Sequence, residues 1–217
     1  MKLVLFNYWR SSASHRVRIG LGLKGLPYEY AVVNILHKEQ HAAAYRERNP
    51  MAQVPTLEIS EDDGTVRAIS QSLPILEYLD ERFADPPLLP RDLYVRARCR
   101  GLAEIVNSGI QPFQNLATTK KVQELGVDRR AWLEHFISRG LAVLERAASE
   151  TVGTFLVGEA VTIADVYLVP QLYAARRFGV DLAPYPTLTR VEATCAALPA
   201  FQSAHADAQP DAAKRVG

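Results

Sequence analysis

Cysteine is scarce in this chain: Cys99 and Cys195 are the two that its 217 residues contain. They stand far apart and in no CxxC pair. That excludes a disulfide framework and reads as two small buried thiols. Thiol chemistry, if the chain has any, must be brought from outside. The five histidines, His15, His37, His41, His135 and His205, form no HxH or HExxH spacing, so no metal site is expected. An excess of one charge is also lacking. Lys and Arg number 25 against 24 Asp and Glu, for a net charge of +1. No basic patch points to nucleic acid, and nothing in the balance draws the chain to an anionic membrane. No apolar run approaches the ~20 residues of a membrane span, and the first residues lack a signal-peptide layout. A cytoplasmic protein is the expectation.

What is present divides in two. Hydrophobic residues make up 48%, enough for a core in one large or two small domains. Residues 2–8 and 28–34 read as strands around a helix closed by Lys24 and Gly25. A strand–helix–strand unit implies parallel pairing. A second helical piece ends at 45–49. Residues 54–59 and 65–69 flank Glu61-Asp62-Asp63-Gly64 as a hairpin. Residues 71–82 carry Leu73, Leu76 and Leu79 at helical spacing, and Phe83 follows in the same pattern. Ala84 to Pro90 is a linker, since Pro86-Pro87 cannot continue a helix. Beyond it the pattern is helical throughout. Leu102, Ile105, Val106, Ile110 and Phe113 mark one face, and Leu133, Ile137, Leu141 and Leu144 another. Thr162-Ile163-Ala164-Asp165 is a variant capping box and reads as structural. The expected domains are 1–83 (α/β), a linker at 84–91, and 92–217 (all-α), with an Ala-rich, poorly packed tail after Ala200.

The densest chemistry lies in Trp9-Arg10-Ser11-Ser12-Ala13-Ser14-His15-Arg16-Val17-Arg18. This run joins an apolar strand to a helix N-terminus. Three hydroxyls and several cations gather where free N–H groups and the positive end of the helix dipole converge, which suits an anion. On the residues alone that anion is a thiolate, a carboxylate or a phosphate.

The order β-α-β-α-β-β-α, with Val54-Pro55 entering the third strand and Gln71-Ser72 opening the third helix, resembles the thioredoxin-like domain of glutathione transferases. The run FNYWRSSASHRVRIGLGLKG resembles their zeta class in particular, which includes maleylacetoacetate and maleylpyruvate isomerases. NPMAQVPTL at 49–57, QSLPILEYL at 71–79, GIQPFQNL at 109–116, TIADVYLVPQ at 162–171 and RRFGVDLAPYPT at 176–187 extend the likeness to about residue 202. Two departures stand out. The family's cysteine after the serine pair is Ala13 here, and His15 leans toward the maleylpyruvate branch while Gln111 leans back toward maleylacetoacetate.

The resemblance implies the glutathione transferase fold, a homodimer, and reduced glutathione as cofactor. It implies glutathione-dependent cis-to-trans isomerisation of maleylacetoacetate to fumarylacetoacetate, in tyrosine and phenylalanine catabolism. Ser11 is the expected donor to the glutathione sulfur, with Ser12 as the close second; both also suit a helix N-cap. A thiol of pKa ~8.5 is ~3% ionised at pH 7. Lowering it to roughly 6.5 raises that fraction about 25-fold, while nucleophilicity falls about tenfold. Most acceleration must therefore come from orientation and enolate stabilisation.

Ala13 and Ser14 complete that segment of the cofactor site. Gln71 and Ser72 are expected to hold the γ-glutamyl carboxylate, and a cis Val54-Pro55 to pair with the cysteinyl unit. Gln40 and Gln53 are expected near the glycyl end, with His41 easily confused with Gln40. Gln111 and Asn115, one turn apart, face the cofactor cleft. Arg10 and Arg177, the latter with Arg176 as its alternative, are expected to grip the carboxylates of a small dicarboxylate substrate. Tyr8 is expected in core or dimer packing. Two other readings use the same scaffold: a general transferase or dehalogenase of small α-halo acids, and a non-catalytic binding module. The intact serine, Val-Pro and Gln-Ser motifs weigh against the module.

Overall fold

A computed structural model describes residues 1–212. The chain forms two compact units. One is Met1–Pro87 together with the described residues from Leu198 onward; the other is Leu88–Ala197.

The first unit begins β1 (Lys2–Asn7), α1 (Ser12–Leu23), β2 (Glu29–Val32), α2 (Ala43–Arg48), β3 (Thr56–Ser60), β4 (Val66–Ser70) and α3 (Ser72–Arg82). The strands order as β2-β1-β3-β4. β1 pairs parallel with β2, as a strand–helix–strand unit requires, and antiparallel with β3. β3 and β4 form the expected hairpin. β2 is shorter than 28–34 because Asn34 turns the chain: its Oδ1 accepts from the Leu36 and His37 amides. One core joins the layers. Leu3 and Leu5 of β1 and Leu57 and Ile59 of β3 meet Val17 and Leu21 of α1 and Ile75 and Leu79 of α3. The helical pairs stand four residues apart, so each helix turns one stripe inward. Burying each such side chain contributes about 1.5–3 kcal/mol.

α1 ends at Lys24, and Gly25 takes a left-handed φ of 63°. Lys24 does more than face a helix end. Its buried Nζ donates to Asp80 at 2.8 Å, to the Phe83 carbonyl at 2.6 Å and to the Pro86 carbonyl at 2.5 Å.

The second unit holds α4 (Leu93–Asn107), α5 (Gln111–Gln114), α6 (Leu116–Glu124), α7 (Arg129–Ala148), α8 (Ile163–Arg177) and α9 (Pro186–Ala196). The apolar face expected from Leu102 to Phe113 is not one helix. It breaks after Asn107, and Pro112 lies in the first turn of the short α5, where a missing N–H costs nothing. The α7 stripe Leu133, Ile137, Leu141 and Leu144 is buried as expected. α8 opens on the capping box of Thr162 and Asp165. Among the described residues, no helix is long and apolar enough to cross a membrane.

The expected boundaries need two corrections. Leu88 and Leu89 of the expected linker are buried, and the Leu88 carbonyl accepts from the Ile163 amide, so the second unit starts at Leu88. As far as it is described, to Ala212, the tail after Ala200 is neither loose nor part of the second unit. It forms α10 (Pro199–Ala204), which packs on α1 of the first unit. The contact uses small residues: a Cβ on Gly22 would lie 3.3 Å from the Ala200 Cα. Phe201, Ala204 and Ala206 are buried there, and Arg18 Nε donates to the Ala204 carbonyl at 3.1 Å.

Candidate functional site

The loop from β1 to α1 carries the serines. Ser11 is the N-cap of α1, with φ −69° and ψ 119°, and its Oγ accepts from the Ser14 amide at 3.2 Å. The hydroxyl proton stays available to donate outward. Ser12 and Ala13 are half-buried at the mouth of the helix. Their N–H groups have no acceptor within the helix, and no acidic side chain occupies the first turn. The positive end of α1 is thus left for an outside anion.

One expectation for this segment changes. Ser14, expected in the cofactor site, is fully buried at 0% exposure, so its side chain does not reach a ligand at the surface of the loop. Arg16 and Arg18 are not surface cations. Arg16 Nη1 donates to Ser72 Oγ at 3.3 Å, and Arg18 donates to Asn7 Oδ1 and the Trp9 carbonyl. His15 is buried too, and burial, helped by the charges of Arg18 and Arg16, holds its pKa well below the ordinary value. Arg18 lies inside because backbone carbonyls and a side-chain oxygen satisfy it. Arg10 is the half-buried cation of the segment. Its guanidinium lies 5.3 Å from the Trp9 ring centroid, and no ion-pair partner faces it among the described residues. Tyr8 is buried against Trp9, which fits its expected packing role.

The rest of this unit's candidate site follows the sheet. The Val54–Pro55 peptide is cis. Just before it, the Gln53 carbonyl accepts from Tyr45 Oη at 2.5 Å and from Asn49 Nδ2 at 2.7 Å. Tyr45 and Asn49 hold the loop and escaped the sequence reading; their only signal was NP at 49–50 ahead of the Val-Pro pair. Gln53 itself is exposed, whereas Gln40 is buried and its Oε1 has no partner. Gln71, exposed ahead of α3, has φ 72° and ψ 132°. Holding a non-glycine residue there costs about 1–3 kcal/mol, the kind of strain found at ligand sites. Ser72 follows as the first residue of α3, its hydroxyl already held by Arg16.

The second unit carries the other candidates. Gln111 Nε2 donates to Asn115 Oδ1 at 2.9 Å, and Gln114 Nε2 donates to Gln111 Oε1 at 3.1 Å. Gln114 and the fully buried Gln171 exchange amide hydrogen bonds at 3.0 and 3.2 Å. Gln111 and Asn115 thus end a chain of four amides, whose buried half was not singled out in the sequence. Arg176 is committed to Glu192, so it is not a second choice for Arg177. Arg177 lines a cleft of about 670 Å³ with Asp128, Arg129, Arg130, Leu133 and Phe178. Its guanidinium lies 4.5 Å from the Phe178 centroid. The chain's own thiols are inert: Cys99 and Cys195 are buried, and burial pushes both pKa values up.

Residues 10–82 match the glutathione S-transferase N-terminal domain, and residues 131–199 match the glutathione S-transferase C-terminal domain. A probable maleylacetoacetate isomerase of Drosophila melanogaster is 44% identical over 210 residues, spanning 96% of this chain and 89% of that protein. The chain belongs to the glutathione S-transferase family. Among solved structures, this transferase-family chain is similar to the maleylacetoacetate isomerase of Anaeromyxobacter dehalogenans. The identity is 56% over 97% of this chain and 98% of that one, with a TM-score of 0.91, and that protein holds glutathione in its active site. A second structure of it, at TM-score 0.90, holds dicarboxyethyl glutathione and citrate. A maleylpyruvate isomerase described as a bacterial zeta-class glutathione transferase is 41% identical, covering 96% and 99% of the two chains, with a TM-score of 0.89. The zeta-class resemblance and the α/β-then-helical fold both hold.

Proposed function

We propose that this protein is a glutathione-dependent cis–trans isomerase that converts maleylacetoacetate to fumarylacetoacetate in aromatic amino acid catabolism. The observation that carries the reading is the open N-terminus of α1, capped by a serine with its proton to spare and free of any acid of its own. The orphaned Oε1 of buried Gln40 and the strained backbone of Gln71 fit a peptide ligand with polar ends. When bound, glutathione supplies a thiolate that adds reversibly to the activated alkene, so that the former double bond can rotate.

The chain's own residues do the rest. Ser11 donates its hydroxyl to the sulfur and, with the helix dipole, favours the ionised form. Ser12 and Ala13 contribute backbone N–H groups. The Val54 backbone pairs with the cysteinyl unit, Gln71 and Ser72 take the γ-glutamyl carboxylate, and Gln40 and Gln53 take the glycyl end. Gln111 and Asn115 are assigned to the cofactor as well. Arg10 and Arg177 are the carboxylate grips for the substrate. The dicarboxyethyl glutathione and citrate in the Anaeromyxobacter enzyme are polycarboxylates of the kind such arginines would hold.

The maleylacetoacetate branch is favoured over maleylpyruvate. His15, the residue leaning the other way, is buried at 1% exposure, which argues against a role in substrate choice. The identity to the Anaeromyxobacter enzyme also exceeds that to the maleylpyruvate isomerase. A homodimer in the cytoplasm completes the reading; Leu93 and Tyr94, 81% and 71% exposed at the start of α4, are apolar surface suited to a partner.

The deciding experiment follows the absorbance of maleylacetoacetate and of maleylpyruvate with and without glutathione. Glutathione-dependent turnover of the first well above the second is expected. Turnover of neither, with glutathione bound, would replace isomerisation by transfer or dehalogenation. Arg177→Ala should raise KM for dicarboxylates about tenfold or more and leave neutral acceptors unchanged; an equal effect on both would remove its assignment.

A further inference from the structure

We infer that Asp211 is a positioning residue for the Ser11 site, acting through Trp9; the inference rests on the glutathione reading above. Three residues, Tyr8, Trp9 and Arg10, separate β1 from the N-cap Ser11. The middle one is pinned on both sides of its backbone. Its N–H donates to Asp211 Oδ2 at 3.0 Å, and its carbonyl accepts from Arg18 Nη2 at 2.9 Å. The second oxygen of Asp211 accepts from Tyr30 Oη of β2 at 2.6 Å. Arg18 holds Asn7 Oδ1 and the Ala204 carbonyl besides. The carboxylate thus ties the β1–α1 loop to β2 from 202 positions away in sequence.

Both candidate functional side chains depend on that loop. The Ser11 amide donates to the Tyr8 carbonyl at 3.0 Å, so the N-cap inherits the position of Tyr8 and Trp9. Arg10 stacks its guanidinium over the Trp9 ring. Asp211 touches neither, yet two acceptor oxygens on one rigid group match two donors, the Trp9 amide and the Tyr30 hydroxyl. An Asn in its place keeps one acceptor and turns an NH2 toward a donor. Misplacement of a donor by a fraction of an ångström is enough to weaken an oriented hydrogen bond.

The charge of Asp211 separates positioning from simple electrostatics. If the carboxylate acted only through its field, removing it would lower the pKa of a nearby thiol. If it positions Ser11, removing it raises that pKa, because the sulfur loses its donor. The test titrates the ultraviolet absorbance of the thiolate of bound reduced glutathione against pH. It uses the full chain as wild type, Asp211→Ala, Asp211→Asn and Tyr30→Phe, with urea unfolding in parallel. The bound thiol should titrate about 0.5–1 unit higher in both Asp211 variants, and less displaced in Tyr30→Phe, which keeps the Trp9 bond. KM for a dicarboxylate should rise in step, through Arg10. A thiol pKa unchanged or lowered in the Asp211 variants, beside a depressed value in wild type, overturns the inference alone. A wild-type thiol with no depression removes Ser11 as donor to the sulfur, and a wild type that binds no glutathione overturns the glutathione reading itself. Should Asp211→Ala not fold, the near-isosteric Asp211→Asn decides.

Discussion

Helices α1 and α8 both start at a hydroxyl N-cap, Ser11 and Thr162, with a buried residue three positions on. At α8 that residue is Asp165. Its carboxylate accepts from the Thr162 amide at 2.8 Å, from Thr162 Oγ1 at 3.0 Å and from the Leu156 amide at 2.8 Å. At α1 it is Ser14, which gives its own amide to the cap and carries no charge. The positive end of α8 is spent inside the fold, and that of α1 is left open. The same local physics therefore serves stability in one unit and a ligand in the other, and a single residue type at the third position makes the difference.

That contrast breaks if the two caps prove interchangeable. The largest effect should come from Asp165→Ala, which strands three buried donors. We expect a loss of about 2–5 kcal/mol in urea unfolding, with kcat of the folded fraction unchanged. Ser11→Ala should do the reverse. Turnover should fall about tenfold, through lost orientation of the sulfur more than through lost ionisation, for only about 1 kcal/mol of stability. A Ser11 variant that loses stability but not rate would make α1 an ordinary cap. Closing α1 artificially sharpens the test. Ala13→Glu places an acid in the first turn, and glutathione affinity measured by calorimetry should weaken about three- to tenfold, with stability within about 0.5 kcal/mol of wild type.

The smallest effect is a pair of opposed pH slopes. Burial pushes the Asp165 carboxyl up to about 6 against its hydrogen bonds. The folded state then holds a proton that the unfolded chain has released, so this contribution is present at low pH and is lost as pH rises through about 6. Buried His15 works the other way. Its folded pKa is depressed, so its contribution is full above the unfolded value of ~6.5 and is lost as pH falls below it. Between pH 6.5 and 4.5, Asp165→Asn should lose more stability than wild type on acidification, and His15→Gln less. Each slope is at most about 1.4 kcal/mol per pH unit, and thermal melts across that range read it.

Much of this was legible in the chain. Strict spacing exposes α7 through Leu133, Ile137, Leu141 and Leu144, and the Thr-x-x-Asp signature exposes the start of α8. Ser11 could be read as a cap because a serine pair follows an apolar strand. The buried cations could not. Arg16 and Arg18 look solvated in sequence, and only tertiary carbonyls and side-chain oxygens make their burial tolerable. The C-terminal return was hidden as well, since Ala200 packs on Gly22 by closeness and leaves no apolar stripe to find. Gln171 and Gln114 gave no sign, because two amides that satisfy each other look in sequence like any polar pair.

The discontinuity of the first unit has a consequence for how the protein is made. Chains emerge from the ribosome N-terminus first, and units tend to fold as they appear. Here Leu88–Ala197 is complete before Arg18 can meet the Ala204 carbonyl or Trp9 can meet Asp211. The part of the molecule synthesised first is thus the part finished last, and a nascent chain stalled between Ala197 and Asp211 would hold every residue of the second unit while its serine loop still lacked its clasp.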